Sequence, residues 1–354
     1  MQEYIFSLYE THGVGPVFYS KLVRAFGSPK NAVEASLEEL EEVVPTKIAV
    51  EIKRIENETL QQKSKFLEQT GIKCIDFTSN EYPENFKIHE MFPPVLFYRG
   101  KKLSCEKPSI AVVGTRKPTR YGVETTIKLV SQLVKHGFSI VSGGARGIDT
   151  VAHKTALQEG GYTIAVLGCG VDIYYPVENR NLFQQIANSG TLLSEFLPGT
   201  KPLKENFPKR NRLIAGLAKG VLIIEAGETS GSLITAKWAL EMGKEVYSVP
   251  GPINSSVSFG CNRLIKDGAK IVLSVEDILE DFGVRHHPEE NSYAEEKLGP
   301  EARKILEMLN SEAVHFDELL SKLSIPTPDL LAILFELEIN GLIIELPGKY
   351  YKRR

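Results

Sequence analysis

Four short stretches of this sequence bring together the residue types that hold an anion. The first, Ser142-Gly143-Gly144-Ala145-Arg146-Gly147-Ile148-Asp149, follows the apolar run Phe138 to Val141. Beyond it, Ile148, Val151, Ala152, Thr155 and Ala156 recur at helical spacing between Gly147 and Glu159. A glycine-rich turn from strand into helix leaves backbone N–H groups unpaired and pointing outward, an anion site, and Arg146 adds a fixed positive charge. The second, Val113-Gly114-Thr115-Arg116-Lys117-Pro118-Thr119-Arg120, ends another apolar run. A dinucleotide fold needs GxGxxG here and an acidic residue about 20 positions later. Neither is present, so the dinucleotide reading fails. The planar fork of Arg116 suits phosphate oxygens, whereas Lys117 and Arg120 read equally well as plain surface residues.

The third stretch, Lys204-Glu205-Asn206-Phe207-Pro208-Lys209-Arg210-Asn211-Arg212, sets one aromatic among four basic residues on a segment entering a helix. Single-stranded nucleic acid calls for that combination: charges hold the backbone, and an aromatic face stacks a base without reading its identity. The alternative has Phe207 buried and the arginines paired with carboxylates at strand ends, such as Glu195 and Glu225. The fourth stretch, Ser230-Gly231-Ser232, offers hydroxyl and N–H donors at a helix start, or simply caps it.

Catalytic constellations are poor. Asp149 and His153 are four apart on one helical face and could act as an acid–base pair, but capping of the helix by Asp149 and a local bond from His153 fit better. Cys169, between Gly168 and Gly170, has no histidine near it in sequence and reads as a small packed thiol. No GxxxxGK[ST] motif is present to suggest ATP hydrolysis. Cys74, Cys105, Cys169 and Cys261 are scattered without a CxxC pair, which indicates free thiols in a reducing cytoplasm and no zinc site. His286-His287 falls in a polar linker and reads as solvent-facing sequence. No catalytic residue, metal ligand or cofactor is assigned.

The elements that must position these stretches alternate from Ser109 onward. Apolar runs at 109–114, 138–142, 162–168, 191–195, 220–225, 245–249 and 270–274 predict strands, with helical patterns between most of them. Near-continuous apolar strands separated by helices predict an α/β fold, a mostly parallel sheet covered on both faces. Short strands are expected at Lys73–Phe77 and Pro94–Gly100. Residues 1–60 predict a small helical domain in which Gly13-Val14-Gly15-Pro16 turns between two helices. That turn resembles a helix–hairpin–helix or sterile-alpha-motif unit, or it merely reverses the chain, and the glutamates between Glu38 and Glu42 disfavour DNA there. The large domain spans 61–283, a solvated linker 284–298, and a module of three helices and a two-stranded wing 299–354. The third helix of that winged helix offers leucines and glutamates where base edges would require Arg, Lys, Asn or Gln, so a protein-interaction or packing role is expected.

Composition adds bounds. The formal net charge of −3 confines any basic surface to a local patch. The first residues lack a signal-peptide layout, and no apolar run approaches membrane-spanning length.

In this order the stretches resemble the DprA family, also called Smf, of bacterial natural transformation. The likeness runs from about 80 to 275. It is carried by Ile110 to Arg116, Ser142 to Asp149 with Ala152-His153, Tyr175-Pro176, Ser194-Glu195, and Phe207 to Leu217. It continues through Ser230 to Ser232, Val249-Pro250-Gly251, Gly260 to Ile265, and Gly268-Ala269. The resemblance implies an extended Rossmann-like domain that binds single-stranded DNA without sequence specificity and acts as a homodimer. It further implies protection of incoming strands and loading of the recombinase RecA onto DNA covered by single-strand-binding protein. The family's binding pocket would fall on Gly114, Thr115, Arg116, Gly143, Gly144, Arg146, Lys204, Phe207, Lys209 to Arg212, and Ser230 to Ser232. The main alternative is a related phosphoribohydrolase acting on nucleotides or nucleotide sugars. Those enzymes carry Pro-Gly-Gly-x-Gly-Thr-x-x-Glu, and Gly227 to Ala236 here has Ser-Gly-Ser with no such glutamate after it. A DNA-binding regulator acting through the winged helix is a third reading, disfavoured by the acidic helix.

Overall fold

A computed structural model describes residues 1–88, 91–103, 107–284, 298–309, 313–323, 325–339 and 342–353. The linker's His286-His287 and Cys105 lie outside the described residues. The chain forms two compact units, Met1–Val284 and Arg285–Arg354.

The first unit is built on nine strands: β1 (Ile72–Asp76), β2 (Val95–Gly100), β3 (Ser109–Val113), β4 (Ser139–Ser142), β5 (Thr163–Val166), β6 (Thr191–Ser194), β7 (Gly220–Ile223), β8 (Glu245–Ser248) and β9 (Lys270–Ile271). Their order across the sheet is β1-β2-β6-β5-β4-β3-β7-β8-β9. Strands β3 to β9 are parallel, and β2 runs antiparallel to both of its neighbours. The run Ile110–Val113 shows why such a strand is apolar throughout. Ile110 and Val112 enter a core on one face, and Ala111 and Val113 enter the core on the other. Val221 and Ile223 against Leu222 and Ile224 repeat the division around β7. Strand β9 is shorter than the expected 270–274 because the chain leaves the sheet after Ile271. The N–H groups of Leu273 and Ser274 then donate to Asp277 Oδ2 at 2.7 and 2.9 Å and start a helix at Glu276.

Sequence order reverses at β3. The chain proceeds through β4, β5 and β6 on one side, then returns as β7 on the other. In open parallel sheets such a reversal leaves a crevice at the carboxyl ends of the strands. The stretches at Gly114, Ser142 and Glu225 all follow carboxyl ends.

Residues 1–60, set apart by the sequence as a helical domain, share a hydrophobic cluster with Ile72, Cys74, Val95 and Phe97 of β1 and β2. Phe6 meets Phe97 edge-on with ring centroids 5.6 Å apart, and the Tyr19 hydroxyl donates to Asp76 Oδ2 at 2.8 Å. Glu39, among the glutamates after Leu37, has a local cause: Ser36 and Glu39 form a reciprocal capping box at the start of the helix Leu37–Glu41.

The second unit packs helices Pro300–Met308, Phe316–Leu323 and Thr327–Ile339 around one apolar cluster. Its sheet has three strands where the sequence reading expected two. Strand β10 (Val314–His315) pairs with β12 (Tyr350–Arg353), which also pairs with β11 (Ile343–Leu346). Two residues running straight into a helix carry no period from which a strand could be read.

Because the N-terminal helices and the sheet share a core, Phe97→Ala should destabilise both together by about 3–5 kcal/mol. Urea unfolding followed by far-UV circular dichroism should show one transition at a lower midpoint. A separate early transition of helical signal alone would mean that the two cores are independent.

Candidate nucleic-acid interface

The turn after β3 and the turn after β4 meet backbone to backbone. The Thr115 N–H donates to Glu225 O at 2.8 Å, and the Thr115 carbonyl accepts from Ile148 N–H at 3.2 Å. Three strand ends are thereby joined at the crevice. Gly147 sits at φ +80°, and a Cβ there would collide with the Thr115 carbonyl. Gly114 is equally confined, since a Cβ would lie 2.7 Å from Ile148 Cγ1.

Beneath the second turn lies Arg210, 4% exposed. Its guanidinium donates to Gly143 O at 2.6 Å, to Val166 O, and to Asn211 Oδ1 at 3.2 Å. A side chain on Gly143 would come within 2.7–2.8 Å of that guanidinium. The expected outward phosphate contact at Arg210 is therefore replaced by an inward strut holding the ends of β4 and β5. Asp149 closes the turn from the other side, accepting N–H bonds from Gly143 at 3.1 Å and Ala145 at 3.3 Å. Burial raises the Asp149 pKa, opposed by the Arg210 charge and those N–H donors. His153 bonds Thr163 Oγ1 through Nδ1 at 2.7 Å, and burial drives its pKa down to about 3, so the ring is neutral. Asp149 and His153 thus serve the fold locally. The Cys169 thiol is buried, donates to Ile173 O, and is pushed up to about 11 by burial.

Helix geometry sorts the basic–aromatic segment. The helix Asn206–Leu217 presents Phe207, Arg210, Asn211 and Ile214 to the cleft, at three- and four-residue spacing. Lys209 and Arg212 fall on other sides of it. Arg212 pairs with Glu195 at 2.5 Å, both side chains largely buried, as the alternative reading anticipated. Glu225 instead accepts from the Thr119 N–H at 2.9 Å and the Thr119 hydroxyl, at the positive end of the helix Arg120–Lys135.

The cleft itself measures about 1050 Å³. Arg116, Lys117 and Lys204 line it, are exposed, and make no side-chain hydrogen bond or ion pair among the described residues. Phe207 is half-buried there. Tyr175, 44% exposed, lies beside it with ring centroids 5.5 Å apart. Tyr175, Lys117, Glu228 and Phe259 are among the lining residues that the sequence reading left without a role. Tyr175 reaches the site from the loop after β5, and residue spacing cannot show that approach. Ser230, Gly231 and Ser232 form the opposite wall, where the two serine hydroxyls bond each other at 2.7 Å and Gly231 O accepts from Asn211 Nδ2 at 3.1 Å. Gly144, at φ +65°, packs against Phe183. Arg146 lines a smaller recess shared with Arg116, Tyr175 and Phe207, and it pairs with Glu178 at 2.5 Å. Both members of that pair are exposed and screened by solvent, so an anionic ligand displaces Glu178 at little cost.

The family model of DNA recombination-mediator protein A matches residues 73–283, and the DprA winged helix domain matches 289–349. The chain belongs to the DprA/Smf family. Protein Smf of Synechocystis sp. is 35% identical over 393 aligned positions, covering 100% of this chain and 99% of that protein. The crystal structure of DNA processing protein A from Streptococcus pneumoniae aligns with a TM-score of 0.69 and 35% identity, over 81% of this chain and 99% of the other. DNA processing protein A from Helicobacter pylori, solved for its single-stranded DNA binding mode, aligns with a TM-score of 0.55 and 33% identity. That alignment covers 61% of this chain and 97% of the other. Among the described residues, no helix is long and apolar enough to cross a membrane, and no cluster of metal-ligating side chains occurs.

Removing the Arg210 strut strands buried carbonyls and the Asp149 carboxylate. Arg210→Met should cost about 3–5 kcal/mol of stability. The exposed Arg116→Met should change it by less than about 0.5 kcal/mol. Chemical denaturation of both variants side by side checks the contrast, and equal stabilities would refute the assignment of Arg210 to the interior.

Proposed function

We propose that this protein binds single-stranded DNA in the cleft at the strand-order reversal, without sequence specificity, as part of DNA processing in natural transformation. One juxtaposition carries the reading. Arg116, Lys117 and Lys204, three cations without an ion pair among the described residues, share a cleft with three accessible aromatic rings, Phe207, Tyr175 and Phe259. The cations bear on phosphates, joined by Arg146 from the adjoining recess. The rings stack bases, which is sequence-tolerant because every base has a π-face. Backbone and hydroxyl groups of Gly114, Thr115 and Ser230 to Ser232 line the strand's path, while Gly143 and Gly144 let the turn pack closely on Arg210 and Phe183. Arg210 and Asn211 support the cleft from its floor, and Lys209 and Arg212 stand outside it. Binding is favoured over base release, because Gly227 to Ala236 carries Ser-Gly-Ser and the motif glutamate of the related hydrolases does not follow it.

The family likeness extends the proposal to a homodimer that loads RecA onto DNA covered by single-strand-binding protein, in the cytoplasm. The dimer surface proposed is around Leu264 and Ile265; nearby in sequence, Ile271 and Leu273 are exposed on the edge strand β9 and just after it.

Arg116→Ala and Lys204→Ala should each weaken oligo-dT binding and lower the salt slope by about 0.7 for each phosphate that is no longer neutralised. Phe207→Ala and Tyr175→Ala should each weaken it roughly 5- to 150-fold, with Tyr175→Phe retaining most affinity. Fluorescence titration over a salt series measures all four, and unchanged affinity in both cation variants would exclude the cleft. RecA filament growth on DNA coated with single-strand-binding protein should be accelerated by the wild-type chain and less so by Arg116→Ala. No acceleration by the wild type would limit the function to strand binding.

A further inference from the structure

The helix Thr327–Ile339 of the second unit carries two apolar stripes. Leu330, Leu334 and Leu337 face the module's own core and are buried. Leu331 and Phe335, also four apart, point outward and are 45% and 65% exposed. A groove of about 410 Å³ runs between this outer stripe and the wing, lined by Leu331, Ala332, Phe335, Glu338, Glu345 and Tyr351, with Leu334 at its base. The charged groups lining it are carboxylates from two elements, Glu338 on the helix and Glu345 on β11. Both stand close enough to Tyr351 that its hydroxyl, already disfavoured from ionising by burial, is pushed up further by their charges. The helix contains no Lys, Arg, His, Asn or Gln, and Asp329 and Glu336 add negative charge. On the wing, β12 carries Lys352 and Arg353, neither of which lines the groove.

We propose that this groove binds a basic amphipathic segment of another protein, which seats one or two large apolar side chains between Leu331 and Phe335 and sets Lys or Arg against Glu338 and Glu345. An exposed aromatic beside an aliphatic in a concave site suits an apolar anchor, and carboxylates on both sides select the charge flanking it. The same carboxylates repel a phosphate backbone, so the position that reads DNA in other winged helices is turned here to protein. This inference is independent of the cleft in the first unit.

The test uses the full-length chain and a fluorescein-labelled 14-residue peptide of leucine and lysine at helical amphipathic spacing, with a leucine–glutamate peptide of the same pattern as control. Anisotropy should show binding of the leucine–lysine peptide that weakens with salt, and no binding of the control. Phe335→Ser should weaken binding roughly 10- to 30-fold. Its far-UV spectrum and melting temperature should stay at wild-type values, because the ring lies mostly in solvent. The double variant Glu338→Lys, Glu345→Lys should reverse the preference between the two peptides. The proposal is overturned if the wild-type chain does not bind the leucine–lysine peptide, or if Phe335→Ser binds it as well as the wild type. It is overturned equally if light scattering shows self-association that Phe335→Ser abolishes, which would assign the groove to a second copy. A loss of duplex DNA affinity in Phe335→Ser would assign it to nucleic acid.

Discussion

The buried guanidinium of Arg210 is the constraint on which the cleft depends. At the ends of β4 and β5, Gly143 and Val166 are buried beneath the helix Asn206–Leu217, and their carbonyls need donors from the protein. One side chain pairs Gly143 O and Val166 O together. A neutral donor of that reach and number is not available among the side chains, since only arginine offers five N–H groups in a planar fork. With the charge in place, a carboxylate becomes tolerable nearby, and Asp149 uses it to gather the N–H groups of the glycine turn. The turn is then rigid, and the helix bearing Arg210 is fixed in rotation about its axis. Phe207, three residues earlier on the same face, has its place in the cleft set by that anchor.

Two kinds of positive charge therefore meet at this site with opposite tasks. Arg210 and Arg212 are spent on carbonyls and on Glu195 within the protein. Arg116, Lys117 and Lys204 have no ion pair among the described residues and stay exposed in the cleft. In residue type the two groups look alike: Lys204 and Arg210 stand six positions apart in one basic–aromatic segment. Lys204 precedes the helix Asn206–Leu217 and stays exposed, whereas Arg210 lies within it and is buried against the ends of β4 and β5, a separation set by packing against the sheet.

The same distinction explains what could be read from the chain alone. The parallel strands were legible because burial on both faces makes Ile110–Val113 or Val221–Ile224 continuously apolar, with turn residues at each end. The position of the cleft was legible too, since glycine and polar residues cluster after β3, β4 and β7. Strand β10 and the shortened β9 were hidden because two-residue pairings are decided by neighbouring hydrogen bonds. Tyr175 belongs to the family likeness, yet spacing gives it no role, because its partner Phe207 lies 32 positions away. The glutamates between Glu38 and Glu42 argue against DNA by their charge, whereas Glu39 is accounted for by its bond to the Ser36 backbone.

A protein of net charge −3 can hold a polyanion only if its charges are segregated at a scale finer than the screening length, about 8 Å at physiological salt. At the cleft, three of the nearby carboxylates are engaged by the protein's own donors. Asp149 is tied to the turn, Glu195 to Arg212, and Glu225 to Thr119 at the start of a helix. Glu228 is an exposed carboxylate lining the cleft, set against the three cations Arg116, Lys117 and Lys204. The winged-helix module inverts the arrangement, with carboxylates facing an open groove and no cation lining it among the described residues. The open sites of the two compact units thus differ in sign, with three cations to one exposed carboxylate at the cleft and two carboxylates at the groove.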